Sequence, residues 1–167
     1  MSLQQTPLSN PTPKGQLKAM RIFCIALVTG VVLFAIIVTA LLQSFKEPLI
    51  KVAELPDRNL FLYVAAGLGL LGLVMAFRIY SRKLPVIQNS GQKLTDKMSA
   101  YQRLLIIFLA LCEGPALFSV IVLFLTSRYE VLGITVVLVA AMVSKLPTRS
   151  KLVTLLQADM NEAQQFD

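Results

Sequence analysis

The chain has 167 residues, of which 56% are hydrophobic and 15% charged, with a mean hydropathy of +0.70 and a formal net charge of +7. Soluble domains carry about a quarter charged residues, so this balance excludes an ordinary soluble fold and points to a membrane protein. There is no histidine, and both cysteines, Cys24 and Cys112, fall inside apolar runs, which leaves neither a metal-ligand cluster nor a secreted disulfide framework.

In chain order, residues 1–19 begin with Pro7, Pro11, Pro13 and Gly15 among polar residues and are expected to form a flexible cytoplasmic tail. Ile22 to Phe45 contains no charge and predicts a first span at about 20–45. That length exceeds the roughly 7 to 15 residues of a signal-peptide core, and no small-x-small cleavage site follows, so the run is expected to be a permanent span. A loop over about 46–58 carries two prolines and balanced charges, and its Leu49 to Ala53 stretch is apolar enough to lie against the interface. Asn59 to Phe77, again free of charge, predicts a second span at about 59–80. Small residues gather around its midpoint, and Gly67, Gly69 and Gly72 are the expected close-packing face, because small side chains let helix backbones approach where water gives no hydrophobic push.

A basic loop follows over about 82–103, with Pro85 and the turn-like Asn89-Ser90-Gly91. Leu94, Met98, Tyr101 and Leu105 recur at helical spacing, so the third helix is expected to begin well ahead of its span at about 100–127. Arg128 to Glu130 leave room only for a tight turn into a fourth, shorter span at about 130–146. This last run crosses only if its flanking Tyr129, Glu130 and Lys145 snorkel or the bilayer thins. Pro147 then breaks the chain, and Leu152, Leu155, Leu156 and Met160 give residues 147–167 the spacing of a cytoplasmic amphipathic helix, lying on the membrane or docked on the protein's own end.

The basic residues divide unequally. Twelve of the 16 lysines and arginines precede the first run, lie between the second and third, or follow the fourth; four lie on the other side. This excess predicts cytoplasmic termini. The fold class expected is therefore an all-α, polytopic four-helix bundle of two antiparallel hairpins. The inner basic loop is suited to anionic lipid headgroups, worth about 1 kcal/mol per charge near the surface. Because these charges flank apolar runs, no nucleic-acid partner is inferred.

Glu113 is the one ionisable residue inside the apolar runs, in Cys112-Glu113-Gly114-Pro115. A carboxyl at bilayer depth costs a few kcal/mol, roughly 3 on insertion scales, and marks a place to look for function. Pro115 cannot donate to the carbonyl of Leu111, so a kink with an accessible backbone is expected beside the carboxyl. Glu113, Gly114 and Pro115 form the candidate site, either exchanging a proton or cation or holding helices together through hydrogen bonds. Thr29, Thr39, Ser119 and Thr135 are the polar side chains at similar depth, and the small-residue stretch of the second span is the expected neighbour. No second catalytic group approaches it in the sequence, so neither an enzyme nor a cofactor is expected.

Leu109 to Phe118, continued by Val120 to Thr126 and by Leu146-Pro147-Thr148, resembles a family of uncharacterised small bacterial four-span membrane proteins. That resemblance implies a bacterial inner-membrane location and brings no activity with it. The same stretch, with the glycine-containing second span before it, is also similar to the hairpin of rotary-ATPase proteolipids, in which Glu113 would take the place of the ion-carrying carboxylate. Here the glycines are fewer, the loop is longer and two further spans flank the hairpin. The function expected is a non-enzymatic membrane component, structural or protonation-sensitive, centred on Glu113 and acting in a homo-oligomer or membrane complex. The alternative is a proton- or cation-coupled carrier or ring subunit.

Overall fold

The computed structural model describes residues 13–44 and 58–156, and these are helical nearly throughout. Four helices make the body: α1 (Pro13–Ser44), α2 (Arg58–Gln88), α3 (Leu94–Thr126) and α4 (Leu132–Ser144). A short α5 (Arg149–Leu156) follows. Among the described residues, three helices, α1 to α3, are long and apolar enough to cross a membrane. The 13 residues of α4 rise about 20 Å, short of a hydrocarbon core about 30 Å thick. A 3-10 turn at Tyr129–Val131 lengthens that apolar segment at its start.

Helices α1, α2 and α3 outrun their expected spans. Proline is tolerated in the first turn of a helix, where the N–H it lacks would have no partner, so α1 starts at Pro13 and takes in residues assigned to a flexible tail. Pro85 lies in the last turn of α2, which runs to Gln88 and leaves a connection of only 89–93 where a longer loop was expected. α3 begins at Leu94, as the spacing of Leu94, Met98, Tyr101 and Leu105 predicts, and all four are buried. The Leu49 to Ala53 stretch and Met160 lie outside the described residues.

Helix α3 is the axis. Buried side chains recur along it from Leu94 to Thr126, and it touches α1, α2 and α4. The contacts show alternating directions. Met20 and Cys24 of α1 join the core at the start of α3, whereas Val38 packs with Val120 and Leu123 near its end, so α1 and α3 run parallel. Ala65 packs beside Val122, and Phe77 and Tyr80 meet Phe108 edge-on at 5.4 and 5.7 Å, so α2 runs antiparallel to α3. Ser119 bonds Thr135 at 2.7 Å and returns α4 along the same axis.

Between α3 and α4, Ser127 takes a left-handed conformation (φ 54°) and donates its N–H to Leu123 O. Arg128 donates to Asn59 Oδ1 at 2.8 Å and ties this turn to the start of α2. At the opposite end α5 docks on the bundle: Leu152 is fully buried, Leu155 joins the core, and Gln88 Nε2 donates to Leu155 O at 2.8 Å. The outer faces of α1 and α2 stay apolar and open, with Ile22, Leu33, Ile36, Leu70 and Leu71 exposed. Apolar patches of that extent fit lipid and not water.

Candidate functional site

Pro115 lies inside α3, twenty-one residues from its start, and the carbonyl of Leu111, one turn earlier, loses its helical donor. What covers that carbonyl is α2. A methyl group placed on Gly72 would come within 2.6 Å of Leu111 O and 2.9 Å of Pro115 Cγ. The glycine therefore seats one backbone against the break in the other. One turn away, a methyl on Gly69 would meet Ile134 Cγ2 at 2.8 Å and Leu138 at 3.8 Å, where α4 approaches. Ala65 and Ala76, both fully buried, continue the same line. The contact face of α2 is thus Ala65, Gly69, Gly72 and Ala76, a 4-3-4 spacing that follows one side of a helix.

Gly67 does not belong to it. It is exposed, with open space where a side chain would stand, so its place in the expected close-packing face is corrected. Two residues from Gly69, it points about 160° away around the helix. The two alanines that complete the seam fit the same spacing rule, since Ala65, Gly69, Gly72 and Ala76 repeat at helical intervals.

Glu113 stands on a different flank of α3. Two residues beyond Leu111 it lies about 200° further round, turned away from the glycine face. The expected approach of the α2 glycines to this carboxyl is therefore replaced by their approach to Leu111 and Pro115. Val120, seven residues on and nearly on the same side, packs with Val38, so this flank borders α1. Glu113 is half-buried, while its neighbours on the outer stripe, Ala110 and Gly114, are exposed, and a methyl on Gly114 would meet nothing within 4 Å. The side chain sits at the margin of an open apolar surface, beside a notch made by two small residues.

The polar groups expected to reach Glu113 are engaged elsewhere or face out. Thr39 donates to Ala35 O at 2.7 Å, a bond within its own helix. Ser119 bonds Ala116 O at 2.8 Å and Thr135 at 2.7 Å, forming a buried polar link between α3 and α4. Thr29 is exposed on α1. Among the described residues no hydrogen bond or ion pair reaches Glu113, and the one salt bridge, Arg128–Glu130 at 3.8 Å, lies at the end of the bundle. No group of three or more His, Cys, Asp or Glu among them is placed to hold a metal ion. Cys24 and Cys112 are both buried as free thiols in the core.

A second polar concentration escaped the sequence reading, which treated its lysines as topology determinants. At the α5 end a cleft of about 550 Å³ opens between Tyr80, Leu84, Tyr101, Lys145, Lys151 and Leu155. The Lys145 ammonium lies 4.3 Å from the Tyr80 ring centre and 5.3 and 6.0 Å from those of Phe77 and Phe108, within reach of cation–π attraction. Burial, and then the positive charge of Lys151, hold its pKa below the ordinary lysine value. No protein-family model, no curated protein and no solved structure matches the chain.

Proposed function

We propose that this chain is a small non-enzymatic integral membrane protein that acts as an assembly component, with the Glu113 flank of α3 as its docking point. The observation that carries this reading is the half-buried carboxyl without a partner among the described residues, next to exposed Ala110 and Gly114. In hydrocarbon a polar side chain gains by bonding to another helix, and small neighbours let that helix come close. The incoming helix belongs to a second copy or to another subunit. In this arrangement α1 to α4 form four spans with both termini in the cytoplasm of a bacterial cell, α4 crossing where the bilayer thins. The basic end meets anionic headgroups.

The competing function is ion coupling by a proteolipid-like ring subunit or carrier. It is favoured by the same placement, since a carboxyl on the outer flank of a helix can exchange a proton with a neighbouring subunit. Native mass measurement of the full chain in lipid nanodiscs tests both. A dimer or a complex that dissociates in Glu113→Leu and Gly114→Leu supports assembly. A large ring, with Glu113 labelled by a carbodiimide that attacks protonated carboxyls, supports ion coupling. A monomer whose behaviour ignores both substitutions refutes the docking point. Reporter fusions after residue 15, at residue 91 and after residue 150 should all report cytoplasm, and a C-terminus outside the cell would remove α4 from the list of spans.

A further inference from the structure

We infer that the cleft between α2, α3, the end of α4 and α5 is a binding site for a phosphate-bearing anion, held by Lys145 and Lys151. The site is independent of Glu113, which lies on another part of α3. It is also distinct from the exposed basic residues near the end of α2, because its two cations meet in one cleft. Lys151 Nζ donates to Ser144 O at 3.3 Å, which brings its charge to the end of α4 beside Lys145. Lys145 in turn is held against the aromatic rings of α2 and α3, which limits the directions its ammonium can take. Two like charges are thus gathered in one cleft, and among the described residues neither has a carboxylate: Asp96 is exposed on the first turn of α3, and Glu130 is paired at the far end. Such a pair is stabilised by an anion that accepts from both, through charge-assisted hydrogen bonds.

The walls select the kind of anion. Tyr80 and Tyr101 are buried tyrosines, Leu84 and Leu155 add apolar wall, and Ser144 and Thr154 complete the lining. A phosphate attached to an apolar body matches both halves of this surface, the phosphate on the lysines and the adjoining carbons on the leucines and rings. A phospholipid headgroup and a soluble phosphate share the chemistry that the lysines recognise. Volume does not separate them, since about 550 Å³ accommodates either within the usual range of ligand pockets.

The test uses the full chain in phosphatidylcholine nanodiscs, titrated separately with short-chain phosphatidic acid and with inorganic phosphate. Binding is read by 31P NMR line width and by tyrosine fluorescence, which the absence of tryptophan leaves unobscured. Lys151→Gln and Lys145→Gln should each weaken phosphatidic acid binding about tenfold, the loss of one charge-assisted contact. Lys83→Gln, an exposed charge outside the cleft, should change it less than about twofold. The same pattern with inorganic phosphate, and no gain from the acyl chains, would assign the site to a soluble phosphate. Equal losses in all three variants would reduce the binding to general surface charge and overturn the site. So would the absence of binding to either probe. Lys151 is exposed, so its variant reads the site even if Lys145→Gln fails to fold.

Discussion

The two flanks of α3 at the level of Pro115 differ in one respect: one is closed by the chain itself and the other is left open. On the α2 side, the carbonyl that proline strips of its donor faces Gly72, and the absence of a side chain there lets the two helices close. On the α1 margin, Glu113 of the same motif stays half-buried beside Ala110 and Gly114 with no bonding partner among the described residues. The same helical break therefore serves two purposes. Its backbone consequence is absorbed by internal packing, and its side-chain consequence is turned outward. Substitutions on the closed flank should damage the monomer, and those on the open flank should damage only what the monomer binds.

The largest effect is expected at Gly72. Its added side chain would collide with a backbone oxygen and a proline ring, neither of which has a rotamer to change. Gly72→Leu should cost about 3 kcal/mol, the upper end of ordinary overpacking, read as a lower melting temperature in detergent or poor expression. Gly67→Leu is the control and should be near neutral. If the two variants behaved alike, the closed flank would not be where α2 touches α3.

Gly69→Leu should follow with about 2 kcal/mol, because the atom it meets, Ile134 Cγ2, is a side-chain methyl and not backbone, although a β-branched residue in a helix has little χ1 freedom with which to move it. Val74→Leu, at an exposed position, supplies the reference. Below both comes the buried Ser119–Thr135 bond. Ser119→Ala should cost about 0.6 kcal/mol, the usual worth of a hydrogen bond between membrane helices. A double-mutant cycle with Thr135→Val isolates it. A coupling energy indistinguishable from zero would mean that α4 is held to α3 by packing alone.

Much of this architecture can be read from residue order, because long charge-free runs and breaks in hydropathy need no knowledge of neighbours. The start of α3 at Leu94 is legible for the same reason: outside the most apolar stretch, its apolar residues alternate with polar ones at helical spacing. Which way a helix turns is harder to read when it is apolar all round, since lipid and protein interior then place the same demand on every face. That is why Gly67 resembled Gly69 in sequence, although one faces open space and the other a neighbouring helix. The lysine cleft was hidden differently. Lys145 and Lys151 flank Pro147 in a stretch where basic residues are expected at any membrane boundary, and only the folding back of α5 brings them together beside Tyr80 and Tyr101.

The smallest effect on the monomer, and the one that bears most directly on function, is expected at the open flank. Glu113→Gln keeps the shape and hydrogen-bonding groups of the side chain and removes its capacity for charge. With no partner among the described residues to lose, the variant should unfold within about 0.5 kcal/mol of the parent, as surface substitutions do. Gly114→Leu should be equally mild, because the added side chain enters open space. What should change is association. Gly114→Leu fills the notch and should dissociate the complex, while Glu113→Gln should preserve it if the carboxyl serves only as a hydrogen-bonding group. Loss of a pH-dependent activity in Glu113→Gln, with association intact, would shift the balance to ion coupling. A large loss of monomer stability in both variants would close the open flank altogether, because it would mean that Glu113 and Gly114 are packed inside the chain's own bundle.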